Sequence, residues 1–321
     1  MEYRREIDGL RAVAVLPVIL FHARIRGFSG GYVGVDVFFV ISGYLITSLL
    51  VAELDQGRSS IAGFYERRAR RILPALCVVM LACLPFAWLW MLPYQLVEFA
   101  KSVVAVSVFS SNFLFWWEAG NYFGTANDLK PLLHTWSLAV EEQYYLLFPL
   151  SLMLAWRFGR RNTVRLVAGV AMISLALAVW GWRRHAGMAF YLAPFRGWEL
   201  LLGAMLAFRA PVADNRAAST RSARLAKEGL ALAGILLIAW AIVSFDDITQ
   251  GPTLFTLVPN VGAALIIVCA TSETLVGRML SHRWLVGVGL VSYSAYLWHQ
   301  PLFAFARIRA REEPGVLLFI G

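Results

Sequence analysis

An all-α, polytopic membrane helical bundle with about ten transmembrane segments is the fold class this sequence predicts, and three observations predict it. Hydrophobic residues make up 59% of the 321 and charged residues only 15%, against about 25% charged and 45–50% apolar in soluble domains. Mean hydropathy is +0.64. Uncharged runs long enough to cross a hydrocarbon core recur, the strongest from Ile72 to Val97, Ile248 to Ser272 and Trp284 to Ala306. Together these exclude a water-soluble globular protein.

Taken in order, the expected segments lie near 10–26, 34–54, 73–93, 97–117, 131–156, 163–182, 191–209, 228–246, 254–272 and 284–306. The first is the shortest, uncharged only from Ala12 to Ala23. Arg4 and Arg5 before it resemble the start of a secretory signal, but no small-residue cleavage site follows, so it is read as a retained span. Arg4, Arg5 and Arg11 place the N-terminus in the cytoplasm, and Arg58, Arg67, Arg68, Arg70 and Arg71 return there two crossings later. If all ten segments cross, basic residues divide evenly between the two sides. If one between 73 and 156 fails to cross, most fall on the N-terminal side. A re-entrant or tilted segment around 97–130 is therefore expected, since irregular backbone at membrane depth survives only when buried in protein or lining a cavity. Arg209–Lys227 reads as the one polar linker.

The net charge of +9 does not imply nucleic acid. Its basic residues, all but Lys101, Lys130 and Lys227 being arginine, border apolar runs and form no continuous face. Cys77, Cys83 and Cys269 lie inside apolar runs without ligand spacing, so neither a disulfide framework nor a metal site is expected.

Ionisable groups inside spans carry the information, because each is costly unless paired or functional. Asp8 and Arg11 are three apart and can share a helix face with His22, eleven residues and about 16 Å beyond Arg11. His22 suits proton transfer near neutral pH, or caps the outer end of a short helix. Asp36 opens the second span, where a helix N-terminus favours a carboxylate. Ser42-Gly43 suits polar contact or close helix packing. In Phe64-Tyr65-Glu66-Arg67-Arg68-Ala69-Arg70-Arg71, Arg68 and Arg71 form a fork three residues apart. It fits phosphate bidentately, while the run as a whole also fits anionic lipid.

Leu133-His134-Thr135-Trp136-Ser137-Leu138-Ala139-Val140-Glu141-Glu142 sets two carboxylates beside an apolar run. His134 and Glu141 are seven apart, about 10 Å along one face. A polar site lining a cavity is favoured there, with Arg196 or Arg11 as an alternative ion-pair partner. Arg196 and Glu199 can neutralise each other at i,i+3, and His299 before Pro301 can satisfy a kink. No nucleophile elbow, HExxH or Walker A pattern is present, which argues against a soluble-type serine hydrolase, a metalloprotease and an ATP-driven pump.

Five stretches in register resemble acyltransferase family 3, the integral membrane O-acyltransferases: EIDGLRAVAVLPVILFHA, GGYVGVDVFFVISGYLI, FYERRARRILP, LLHTWSLAVEEQYYLLFPL and YSAYLWHQPL, from residue 6 to about 304. The resemblance implies a membrane acyltransferase domain over 1–306 and a tail over 307–321. It implies transfer of an acyl group, usually acetyl, from cytoplasmic acetyl-CoA to a hydroxyl of an envelope glycan such as O-antigen, lipopolysaccharide, peptidoglycan or exopolysaccharide. No metal is implied. The resemblance also implies the bacterial cytoplasmic (inner) membrane as the setting.

The family's essential histidine falls on His22, its first-helix arginine on Arg11, its RxxR on Arg68 and Arg71, and its acidic motif on Glu141 and Glu142. His22 would be general base or transient acyl carrier, and a glutamate would orient an imidazole or bind sugar hydroxyls. Asp36, Ser42, His134, Trp136, Arg196 and His299 would support substrate or structure. Many relatives continue into an extracytoplasmic SGNH hydrolase-like domain. Val316–Gly321 begins an apolar run too short to finish a further helix, so the chain is expected to have lost, or to work with, such an extracytoplasmic partner domain. A transporter of an amphipathic substrate, or a non-catalytic partner of another enzyme, are the competing readings.

Overall fold

The computed structural model describes residues 3–57, 60–119, 124–209, 221–246, 251 and 254–310. Thirteen α-helices and three short 3₁₀ turns account for these residues, with no strand among them. Each expected segment meets a helix. These are α1 (Arg5–His22), α2 (Gly34–Asp55), α3 (Ile61–Trp90), α4 (Pro93–Ser107) with α5 (Ser111–Glu118), α6 (Thr135–Trp156), α7 (Arg160–Arg184), α8 (Ala186–Tyr191) before α9 (Ala193–Phe208), α10 (Arg221–Ser244), α11 (Leu257–Cys269), and α12 (Leu275–Leu280) before α13 (Arg283–Arg309).

Four helical stretches, 31–55, 61–90, 160–184 and 221–244, are long and apolar enough by length and composition to cross a membrane. The first of these is central, with 72% of its apolar window buried, while the other three bury only 28%. Exposed Leu81, Trp88, Met172, Ile173, Leu236 and Trp240 make α3, α7 and α10 the apolar outer face of the bundle. Large apolar exposure of that extent fits a lipid-facing surface. The full count of ten crossings does not follow from these lengths.

Several boundaries differ from the sequence expectation, each for a local reason. Helix α1 begins at Arg5, so Asp8 and Arg11 are helical. It ends in a two-bond Schellman closure, Ile25 N to Leu20 O and Arg24 N to Phe21 O, with Arg24 itself at φ 56. The arginine-rich stretch expected as a loop belongs to α3. Ser60 caps that helix by accepting from Gly63 N, and Arg and Glu are good helix formers. The 97–117 segment is interrupted between α4 and α5, where Phe109 takes φ 51. Of the expected 209–227 linker, residues 221–227 are the first turns of α10, and 210–220 lie outside the described residues. Val316–Gly321 also lies outside them. The three cysteines are free, Cys77 exposed and Cys83 and Cys269 buried.

The core is held by close helix pairs: α1 on α13, α2 on α9, α7 on α9 and α10 on α11. At the α2–α9 crossing a Cβ on Gly43 would sit 1.8 Å from Leu200 O, and one on Gly203 would sit 2.0 Å from Val40 O. Small residues let backbones approach in lipid, where no hydrophobic effect drives helices together. The Ser42-Gly43 pair thus has a packing half, Gly43, and a polar half, Ser42.

Candidate active site

Two cavities lie along α1. The larger, of about 390 Å³, is enclosed by α1, α2, α3, α6 and α13 and gathers Arg11, Ser42, Arg68, Arg71, Glu141 and Glu142. Glu141 accepts hydrogen bonds from Ser42 Oγ and Tyr145 Oη. The Arg68 guanidinium lies 4.2 Å from the centre of the Tyr145 ring. Arg11 reaches Asp8 at 3.4 Å. Within the arginine run, Arg67 pairs with Glu53 at 2.6 Å and Arg70 with Glu66 at 2.7 Å. Arg68 and Arg71 form no ion pair among the described residues, and Arg68 Nε is buried without a hydrogen-bond partner. The fork read from the sequence is therefore the unpaired half of the run, and it faces the cavity, whose wall Arg67 joins while held by Glu53.

The smaller cavity, of about 60 Å³, takes the other end of α1. Its walls include His22, Asp36, His134, Trp136, Arg196 and Gln300. His22 Nδ1 donates to Val18 O at 2.8 Å, which leaves the Nε2 lone pair as the free basic position. Its ring centre lies 5.0 Å from that of His299, and the His299 ring lies 5.2 Å from that of His134. His299 Nδ1 donates to Tyr296 O at 2.5 Å, whereas the carbonyl that Pro301 leaves without an N–H donor is that of Leu297, so this contact is not the expected kink partner. The Nε2 of His299 is buried and unpartnered, and the buried His134 ring lies against the carbonyls of Pro131 and Leu297.

Arg196 sits between Asp36, to which it donates, and Glu199 at 3.2 Å, all three nearly fully buried. Its guanidinium also lies 5.6 Å from the Trp136 ring centre. The expected Arg196–Glu199 pairing is present, and Asp36 joins it as a second carboxylate. Arg196 is consequently not the partner of Glu141 or Glu142. Nor does Glu141 orient an imidazole: its partners are Ser42 and Tyr145, with Arg11 lining the same cavity. His134 and Glu141, although on one face of α6 by spacing, open into different cavities.

Val35 and Tyr296 line both cavities and form the partition between them. Tyr296 Oη donates to His134 O at 3.0 Å and lies 2.6 Å from Ser137 Oγ. Sequence reasoning quoted Tyr296 and Gln300 within a motif but gave them no part. Their signal was their spacing from His299, three and one residues away on a buried helix. Of the two carboxylates that single out the fork by pairing its neighbours, Glu53 carried no readable signal because it comes from another helix, whereas Glu66 stands four residues before Arg70 on α3, a spacing that could have been read.

The family model described as an acyltransferase domain matches residues 4–320. Among curated proteins, the O-acetyltransferase OatA of Staphylococcus aureus (strain NCTC 8325 / PS 47) is 32% identical over 311 residues, covering 94% of this chain and 51% of that protein. The putative O-acetyltransferase SAS0844 of Staphylococcus aureus (strain MSSA476) is 33% identical over 317 residues, covering 95% and 51%. The chain thus spans about half the length of these relatives. No solved structure matches it significantly. With the family motifs gathered around two cavities on one helix and the family model spanning nearly every residue, the chain belongs to acyltransferase family 3.

Proposed function

We propose that this chain is a membrane O-acetyltransferase that moves an acetyl group from cytoplasmic acetyl-CoA to a hydroxyl of an envelope glycan. The observation that carries the reading is the pair of cavities meeting at Val35 and Tyr296, one built around a free arginine fork and the other around His22. Arg68 and Arg71 hold the donor's phosphates, since guanidinium forks match phosphate oxygens bidentately. The thioester on its long flexible arm then reaches the partition from the fork's side. The acceptor hydroxyl gives its proton to His22 Nε2, its oxygen attacks the thioester carbonyl carbon, and the carbon–sulfur bond breaks. Coenzyme A leaves as a thiolate and takes up the proton, so the products are the ester and the free thiol. Fixing both reactants in one passage replaces an encounter in solution by an oriented one.

In this reading the N-terminus and the arginine fork face the cytoplasm and the His22 end faces outward across a bacterial inner membrane. O-antigen, lipopolysaccharide, peptidoglycan and exopolysaccharide are all acceptors of the required kind. An extracytoplasmic SGNH-type domain, on this chain or another, is the proposed partner, in keeping with relatives about twice as long. The deciding experiment supplies radiolabelled acetyl-CoA to membranes containing the protein. Label on the glycan, lost in Arg68→Ala/Arg71→Ala at low donor concentration, supports the reading. Movement of glycan across the membrane without any label on it supports a transporter instead.

A further inference from the structure

The small cavity beside His22 is lined by polar atoms that have nothing to bond to within the protein. Asp36 Oδ2, Arg196 Nε and Gln300 Oε1 are buried and unpartnered, and all three residues line it beside the buried His134 ring. Their side chains are at most 4% exposed. Buried polar groups in native proteins almost always find a partner, so this many around one cavity marks a binding site. Its aromatic walls, Trp136 and Phe190 with ring centres 4.6 Å apart, add flat apolar surface next to the hydrogen-bonding groups. Hydrogen-bonding atoms beside aromatic faces are what the hydroxyl-bearing edge of a sugar needs. At about 60 Å³ the cavity admits such an edge, not a whole disaccharide.

Charge narrows the class further. Arg196 is the only cation lining the cavity among the described residues. It is already met by two carboxylates, Asp36 and Glu199. The neighbouring cations are engaged as well: Arg24 with Asp128 at 2.5 Å, Lys130 with Glu118 at 2.7 Å, and Arg307 with the His22 carbonyl at 2.5 Å. A carboxylated sugar entering here would meet Asp36 with no free cation to offset it, and like charges at buried range repel strongly.

We propose that this cavity is the acceptor subsite and that it selects an uncharged sugar over a uronic acid or other carboxylated one. The proposal rests on the acetyltransferase reading for its purpose, but its test needs no turnover. Diethyl pyrocarbonate acylates neutral imidazole nitrogens, and the free Nε2 of His22 is such a target. The full protein in membrane vesicles is treated with the reagent alone, with a neutral oligosaccharide of N-acetylglucosamine, or with an oligomer of glucuronate. Modification of each histidine is then read by mass spectrometry. Exposed His185 and His282 serve as internal references.

The neutral oligosaccharide should slow His22 modification several-fold relative to the references, and the glucuronate oligomer should leave it unchanged. Asp36→Asn, which removes one of the two carboxylates, should let glucuronate protect His22 as well. Gln300→Leu, which keeps the cavity's charge but removes a hydrogen-bonding oxygen, should weaken protection by the neutral sugar. Equal protection by both sugars in the wild type, or protection by neither, overturns the assignment. Failure of radiolabel transfer from acetyl-CoA with sugar protection intact instead overturns the enzyme reading and leaves the subsite standing.

Discussion

Arg67, Arg68, Arg70 and Arg71 occupy just over one turn of α3, yet their neighbours divide them into two kinds. Glu53 and Glu66 take Arg67 and Arg70, and exposed pairs of that sort contribute little to stability. Arg68 and Arg71 keep their donors for something else. A hydrogen bond to a charged group is worth about 1.5–3 kcal/mol, so losing either fork arginine should raise the KM for acetyl-CoA roughly tenfold or more. Arg70→Ala, off the cavity wall, should change it by less than about twofold, and Arg67→Ala, on the wall but tied to Glu53, should do less than either fork variant. Lys at 68 or 71 should restore only part of the affinity, because an ammonium is a point charge without the planar fork. Steady-state kinetics on membranes with the four single variants checks this, and an equal effect at all four positions would reduce the run to lipid contact.

His22 sits at the same scale. With Nδ1 committed to Val18 O, its one free nitrogen is placed to accept a proton. General-base assistance is typically worth 10²–10⁴ in rate, so His22→Ala should lose about that much glycan acetylation while leaving binding of a coenzyme A analogue intact. His22→Gln keeps a hydrogen-bonding side chain that takes up no proton near neutral pH, and it should be equally inactive. Near wild-type acetylation in the Gln variant would move the proton to His134 or His299.

Among the elements, the crossing of α2 on α9 shows what local sequence does and does not reveal. Apolar runs located a helix for each of the ten expected segments, because an uncharged stretch of membrane-spanning length has few other folded outcomes, while the short α8 and α12 fall between those segments and were not anticipated. Boundaries set by polar chemistry were harder to read. The arginine run looked like a loop because charge was weighed as topology, whereas the Ser60 cap and good helix formers extend α3 through it. The fork, His22 and the Glu141–Glu142 pair were legible as individual residues because ionisable groups in spans are conspicuous. Their grouping was not: nothing in the spacing of α6 told that His134 and Glu141 face separate cavities, or that Asp36 reaches across to Arg196. Such pairings depend on which helices pack together, and a single chain read in order does not contain them.

The α2–α9 crossing also yields a test. A Cβ at Gly43 or Gly203 would overlap a backbone carbonyl on the other helix, and overpacking of that kind costs typically 1–3 kcal/mol. Gly43→Ala and Gly203→Ala should each lower the thermal stability of the detergent-solubilised protein, whereas Gly229→Ala, with nothing within 4 Å, should not. Unchanged melting in both interfacial variants would mean the helices sit farther apart.

Across the whole molecule, the proposed reaction requires donor and acceptor sides to communicate without leaving the membrane open, and Tyr296 is placed to manage this. Its ring separates the two cavities, and its hydroxyl is held by Ser137 Oγ and the His134 carbonyl. A thioester can meet an acceptor hydroxyl only where this partition yields, so water should reach the thioester too if the partition is loose. Tyr296→Phe removes the hydroxyl and both contacts while keeping the ring. Each lost hydrogen bond is worth about 1 kcal/mol net, enough to loosen the ring several-fold without emptying the site. The expected outcome is a several-fold rise in acetyl-CoA hydrolysis in the absence of acceptor, with glycan acetylation reduced or unchanged. Ser137→Ala, which removes one contact, should fall between wild type and Tyr296→Phe. Free thiol release measured with and without acceptor separates the two fates of the acetyl group. A hydrolysis rate unaltered in both variants would show that Tyr296 is wall rather than gate.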